Sequence, residues 1–452
     1  MRQPRPASTA TPSTVLLSTV LGTAFAACLA LPAAAADGQR AEVTAAAEAL
    51  RAPVVAWRRD IHQHPELGNR EVRTAALVAD HLRALGLEPR TGIATTGVTA
   101  VLRGGRPGPR IALRADMDAL PVTEATGLPF ASKATTTYRG ETVGVMHACG
   151  HDAHVAILMG LAQALVDMRE ELPGEVMFVF QPAEEGAPEG EAGGAKEMLA
   201  QGVFDDFRPD AVFGLHVGAA LPVGQVSVRP GPMMAASDAF EINVLGRQAH
   251  GSRPWDGVDP VVAAADLVTT AQSIVSRRTD ITRLPAVLTF GAVKGGIRHN
   301  IIPASVQLIG TIRTFDDGMR EAILEDLRNV AGHVAAAHGA RVEAHIPLDQ
   351  SYPVTANHPA LTARMLPSLE KAVGAGNVIE PALITGAEDF SFFAREVPGL
   401  YFFVGATSPG IDPGAAPGNH SPGFLLDEGA LDVGFRAMLQ VVLDYLDGPA
   451  AG

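Results

Sequence analysis

Glu175-Val176-Met177-Phe178-Val179-Phe180-Gln181-Pro182-Ala183-Glu184-Glu185 is the stretch that decides how this chain folds. Val176 to Phe180 is an unbroken apolar run, β-branched or aromatic at every position but Met177. A strand with one wet face alternates apolar and polar residues; this run does not, so both of its faces must be covered. Such strands belong in the middle of a parallel sheet. Pro182 brings no N–H and stops the strand. Two adjacent glutamates follow, and neighbouring side chains point in different directions. One carboxylate can therefore bind a cation while the other faces a substrate as a general base.

Outward from this strand the pattern repeats. Apolar β runs lie at 98–102 and 110–114, the second ending at Asp116-Met117-Asp118, and at 211–215, followed by His216. Between them lie helical patterns at 42–64 (stopped by Pro65), 71–85 (closed by Gly86), 153–169 and 196–201. Strands alternating with helices predict a mostly parallel sheet covered on both faces. Near residue 223 the rhythm changes. Half-buried strands are expected at 223–228 and 239–245, a helix at 260–278, strands at 287–293 and 305–312, a helix at 319–338 and a strand at 341–345. That order predicts a small antiparallel, ferredoxin-like α+β unit backed by two helices. The α/β rhythm then resumes with helices at 359–373, 390–395 and 428–446 and a strand at 400–404. The expected architecture is an α/β domain, 37–224 and 348–452, interrupted by a smaller α+β insert at 225–347. A length of 452 residues, too many for one core, agrees with two domains.

The formal charge of −14 argues against nucleic acid or an anionic membrane as partner. The first 36 residues read as a removable leader: Arg2 and Arg5, an apolar run at 15–31, then Ala33-Ala34-Ala35-Ala36 before Asp37. Ser18, Thr19, Gly22 and Thr23 interrupt that run, which is short for a membrane span. The expectation is export to the periplasm or beyond, with lipid attachment at Cys28 the alternative. Cleavage leaves Cys149 as the only cysteine, so no internal disulfide forms. A free thiol in an oxidising compartment is a liability unless it is buried or ligated.

That thiol lies in Met146-His147-Ala148-Cys149-Gly150-His151-Asp152-Ala153-His154, which crowds three histidines, a cysteine and an aspartate together. In open parallel sheets, sites form at the carboxyl ends of the strands. Cys149 and His151 open the helix at 153–169. Glu184 and Glu185 follow the strand at 175–180, His216 the strand at 211–215, and Asp116 and Asp118 the strand at 110–114. Ligand-type side chains at independent strand ends predict a metal site. Mixed thiolate, imidazole and carboxylate donors suit zinc, with manganese, cobalt or nickel as alternatives.

Four runs carry a resemblance: Met146-His-Ala-Cys-Gly-His-Asp152, Gln181-Pro-Ala-Glu-Glu-Gly186, Gly214-Leu-His-Val217 and Gly418-Asn-His-Ser-Pro422. They resemble the metal-dependent amidohydrolases that include hippurate hydrolase, the indole-acetyl-amino-acid hydrolases and bacterial N-acyl-amino-acid deacylases. These lie within the wider aminoacylase and carboxypeptidase family of two-metal peptidases. The likeness extends to Leu113-Arg-Ala-Asp-Met-Asp-Ala-Leu-Pro121 and Gly386-Ala-Glu-Asp-Phe-Ser-Phe392. It implies that Cys149, His151, Glu185, His216 and His420 hold two divalent metal ions and that Glu184 is the general base. Asp118 and Asp152 are then candidates to orient histidines. Gly246-Arg-Gln-Ala-His-Gly-Ser-Arg-Pro254 resembles the segment whose histidine, here His250, reaches a neighbouring active site across a homodimer. Asn300 resembles a substrate-binding asparagine of the insert, and Arg313 is the candidate for the substrate carboxylate. Trp255 departs from the pattern, standing where relatives often carry another histidine. The implied activity is cleavage of N-acyl amino acids or, alternatively, of short peptides as a dipeptidase or aminopeptidase.

Overall fold

The computed structural model describes residues 34–348 and 351–448. The expected leader, apart from its last three residues, and Cys28 lie outside the described residues. Residues 34–36 open a helix, Ala34–Gln63. No helix among the described residues is long and apolar enough to cross a membrane.

Pro173–Gln181 is an inner strand of an eight-stranded sheet. Its parallel neighbour is Arg106–Asp116, with Leu113 opposite Phe178. Arg106–Asp116 in turn pairs in parallel with Ala211–Pro222, and that strand with Gly399–Thr407. Shorter strands complete the edges: Gly97–Arg103 pairs antiparallel with Pro173–Gln181, and Arg90–Ile93 with Gly97–Arg103. The unbroken apolar run is explained by cover on both sides. Phe178 and Phe180 pack into one core with helices His151–Asp167 and Gly429–Asp447, while Met177 and Val179 pack into a second core with Phe390 and Phe393. Burial of both faces removes apolar area from water at ~25 cal/mol per Å² and fixes the strand centrally.

Three expectations shift. Ala211–Pro222 does not stop at Leu215 but runs on for twelve residues. His216 therefore sits inside a strand, because Val217 and Ala219 continue the buried pattern beyond it. The strand expected at 223–228 shrinks to Val226–Ser227 after a turn at 223–224. The helix expected to reach 278 is α-helical only to Ser273, then widens into a π-turn at Ile274–Arg278, where Thr279 Oγ1 donates to the Ile274 carbonyl at 3.0 Å.

The middle of the chain forms a separate four-stranded antiparallel sheet. Its central pair, Ala236–Leu245 and Ser305–Thr314, is in register from Ala236 opposite Thr314 to Leu245 opposite Ser305. Along Ala236–Leu245 every second residue is buried. Phe240, Ile242 and Val244 meet Leu267, Leu324 and Leu327 of helices Pro260–Ser273 and Asp317–Ala337. Gly310 is required there: a Cβ would lie 2.2 Å from Phe240 Cζ. Val287–Gly295 is an edge strand with Val287 and Val293 exposed.

Candidate metal centre

The carboxyl ends of the parallel strands converge on Cys149. The thiol ends a loop whose last residue, Gly150, has φ +95° and caps helix His151–Asp167. A Cβ on Gly150 would lie 2.2 Å from Val217 Cγ2, so only glycine lets the loop approach the strand this closely. Cys149 Sγ is buried, 3.3 Å from His216 Nε2 and 3.2 Å from His420 Nε2. The Val217 carbonyl accepts from His216 Nδ1 at 2.8 Å, which leaves the Nε2 lone pair facing the sulfur. Burial, with His154 nearby, holds His216 well below the ordinary imidazole range.

Two sets of donors share this sulfur. Cys149, His151 and His216 form one; Cys149, Glu185 and His420 form the other; in each, the ligand atoms lie within 4.8 Å of one another. His151 Nδ1 faces Asp118 at 3.2 Å, while its Nε2 is buried and has no hydrogen-bond partner. An unpartnered buried nitrogen costs free energy unless something outside the chain satisfies it. Glu185 Oε1 lies 3.0 Å from His420 Nε2 and is likewise buried without an aligned hydrogen bond. Soft sulfur, imidazole nitrogen and carboxylate oxygen with open valences are a donor set that fits divalent cations.

The loops are held under backbone constraint. His420 has φ +68° and Ala183, just before the glutamates, has φ +51°. Non-glycine residues seldom adopt this region, and such strain persists where surroundings over-determine it. At His420 those surroundings are explicit. Its N–H donates to the Ala148 carbonyl at 2.7 Å. Asn419 Nδ2 donates to the carbonyls of Cys149 and Val217, each at 3.0 Å, and Asn419 Oδ1 accepts from the Ala219 N–H at 3.0 Å.

Glu184 stands beside both donor sets, its Oε2 4.0 Å from His151 Nε2. Burial raises its carboxyl well above the usual range, and Glu388, Glu185 and Asp389 add to the effect. The Tyr352 hydroxyl donates to the Glu184 carbonyl at 2.6 Å. Behind it lies a buried network. Arg114 donates to Asp116 at 2.6 Å, Glu388 at 2.9 Å and Asp389 at 3.0 Å. The Tyr401 hydroxyl donates to Glu388 at 2.6 Å. Asp116 accepts from His154 Nδ1 at 2.5 Å, and His154 Nε2 accepts from the Val217 N–H at 2.9 Å. One network thus reaches from the glutamates to the strand that carries His216.

The sequence candidates divide into two groups. Cys149, His151, Glu184, Glu185, His216 and His420 come together, with Asp118 between His151 and the Glu185 N–H (2.9 Å). Asp152 does hold a histidine, but it is His62, at 2.8 Å, together with Arg58 at 2.7 Å. The Arg58 and His62 side chains of Ala34–Gln63 engage Asp152, and it holds no residue of this cluster. His62 itself is fully buried, in the last turn of its helix. His250, Asn300 and Arg313 lie between residues 225 and 347, and among the described residues His250 belongs to none of the donor groups. His250 is exposed, with Nδ1 accepting from the Ser252 N–H at 3.1 Å. Asn300 Oδ1 is buried without a partner, and Arg313 donates to the Ile312 carbonyl and to Thr311 Oγ1. Trp255 is exposed. Reasoning from sequence assigned no role to Arg114, Glu388, Asp389, Tyr401 or Asn419. The adjacent acids in Gly386-Ala-Glu-Asp-Phe390 carried a signal, since two carboxylates before a buried aromatic need a cation.

The family model described as peptidase family M20/M25/M40 matches residues 112–444. Thermostable carboxypeptidase 2 of Saccharolobus solfataricus is 38% identical over 393 residues, covering 87% of this chain and 95% of its own. N-acetyl-L-cysteine deacetylase of Bacillus subtilis is 37% identical over 382 residues, covering 84% and 85%. Among solved structures, the Bacillus subtilis YxeP protein, described as a dinuclear metal binding peptidase from the M20 family, is similar with a TM-score of 0.72. It is 34% identical, over 88% of this chain and 99% of that one.

Proposed function

This chain belongs to peptidase family M20/M25/M40 and is a hydrolase of amide bonds, and we propose that it is a two-metal amidohydrolase that releases amino acids from N-acyl amino acids. The observation that carries the proposal is the sharing of Cys149 by two donor sets beside an unligated carboxylate, Glu184. Cys149, His151 and His216 would hold one cation, and Cys149, Glu185 and His420 the other. Zinc fits these donors, as do manganese, cobalt and nickel. Bound there, the cations supply Lewis-acid polarisation of the amide carbonyl and of the attacking water.

The chain's own groups do the rest. Glu184 takes the proton of the attacking water on a carboxylate oxygen and returns it to the nitrogen of the leaving amine. Burial keeps bulk water from competing for that proton, and the Asp389 N–H, 3.4 Å from Glu184 Oε1, fixes the carboxylate's direction. Asp118 keeps His151 oriented through Nδ1, so that Nε2 faces inward. Asn300 and Arg313 would receive the substrate carboxylate. His250, exposed and outside the cluster of its own chain, would stabilise the developing oxyanion in a second copy, which makes the enzyme a homodimer. The exposed edge strand Val287–Gly295 is available for that association. The leader-like first 36 residues support action in the periplasm or outside the cell.

The test is release of free amino acid from hippurate and from acetylated amino acids. A chelator should abolish it and a divalent cation restore it. Glu184→Gln should keep its metal and lose about 10²–10⁴-fold in kcat. Comparing a free dipeptide with its acylated analogue separates this reading from a dipeptidase. Undiminished hydrolysis after complete metal removal would overturn the proposal.

A further inference from the structure

The chain crosses between the large sheet and the insert's sheet twice, and the two crossings lie side by side. Outgoing Gly231–Met234 pairs antiparallel with returning Thr355–Asn357, Thr355 opposite Met234. Closer to the insert, the Ser237 N–H donates to the Tyr352 carbonyl and the Tyr352 N–H to the Ser237 carbonyl, each at 2.9 Å. Tyr352 is therefore a rung of the junction. Its ring meets Phe392 of helix Phe390–Glu396 edge-on, with centroids 6.3 Å apart. Its hydroxyl leaves the junction and donates to the Glu184 carbonyl at 2.6 Å.

We propose that Tyr352 is a positioning residue for the general base: through its hydroxyl, the junction with the insert fixes the peptide that aims Glu184. The inference rests on the amidohydrolase reading above. Its first support is that one peptide unit is clamped at both ends. The carbonyl of Glu184 accepts from Tyr352, and the N–H that follows it, on Glu185, donates to Asp118 Oδ2 at 2.9 Å. One residue earlier, the Ala183 N–H donates to Glu71 Oε1 at 2.8 Å. Side chains from three distant parts of the chain thus hold three successive residues. The second support is that this turn needs holding. Ala183 has φ +51°, a region where a non-glycine backbone persists only when its surroundings over-determine it. The third is that the carboxylate itself is held loosely. The Asp389 N–H stands 3.4 Å from Glu184 Oε1, long for a hydrogen bond, so the backbone carries most of the aim. Of the three clamping side chains, Glu71 and Asp118 come from the part of the chain before the insert, and Tyr352 alone stands at the junction. A base must come within hydrogen-bond reach of its proton, and a displacement of about 1 Å can cost about 100-fold in rate.

Tyr352→Phe deletes one oxygen and keeps the ring against Phe392. In the metal-loaded full chain acting on hippurate, it should lower kcat about 10–100-fold while KM stays within about twofold and the metal content is unchanged. The discriminating arm repeats the substitution in the Glu184→Gln background. A hydroxyl that acts through the Glu184 carboxylate has nothing left to aim there, so the residual kcat should change less than about twofold. An equal loss in both backgrounds would assign the hydroxyl to seating the domains and overturn the proposal. So would an unchanged kcat, or a loss that falls on KM, metal content or folding. Each of these leaves the amidohydrolase reading standing. A wild type that hydrolyses no N-acyl amino acid, or that works without metal, overturns both.

Discussion

Cys149 Sγ lies 3.2 Å from His420 Nε2, although 271 positions separate the two residues. The same sulfur is 3.3 Å from His216 Nε2. A buried thiol facing two imidazoles, one from a strand and one from a loop, is poor packing chemistry, because burial and the nearby Glu185 and Glu184 push it well above the ordinary thiol range. It is good ligand chemistry, because one thiolate can serve two cations and the imidazoles complete their shells.

Asn419 ties the His420 loop to the Cys149 loop and to the strand bearing His216 through three hydrogen bonds. Asn419→Ala should lower metal affinity about 10–100-fold, the usual cost of losing a group that supports ligands. Competition against a chromophoric chelator measures it. Unchanged affinity would mean that the strained His420 backbone holds itself.

Arg114 is the buried cation among Asp116, Glu388 and Asp389. Arg114→Met strands those carboxylates and should cost about 3–5 kcal/mol of stability in urea unfolding. A loss under about 1 kcal/mol would show that the network contributes no more than a surface pair.

His62 gives a pH signature. Burial and Arg58 work against its charge, but Asp152 at 2.8 Å and Glu124 at 3.2 Å outweigh them and raise its pKa. A raised value in the folded state adds stability that is full below the unfolded value of about 6.5 and is lost as pH climbs through the folded value. His62→Gln should therefore destabilise more at about pH 5.5 than at about pH 9. Denaturant unfolding of both proteins at the two pH values checks the sign, and an equal or reversed gap contradicts it.

Local pattern carried much of this molecule. Phe178 and its neighbours announced a doubly covered strand because both faces obey one rule, and the insert's alternation at Ala236–Leu245 was equally plain. Most of the residues that gather at Cys149 were legible because strand ends have few reasons to carry cysteine, histidine and glutamate together, whereas His420, in a loop, entered only through the resemblance. His216 was misplaced past its strand because an imidazole interrupts an apolar run without interrupting the ladder. Arg114 carried no local sign of its role, since its partners Glu388 and Asp389 stand 274 and 275 positions away. His62 carried no local sign of its partners for the same reason: Asp152 and Glu124 come from other parts of the chain.

The most direct measurement is anomalous diffraction from crystals of the metal-loaded protein, paired with elemental analysis of Cys149→Ser. The account predicts two ions per chain, one touching Cys149, His151 and His216, the other touching Cys149, Glu185 and His420, with the serine variant losing at least one of them. Two ions retained without the sulfur, or density for an ion that Cys149 does not touch, would contradict it.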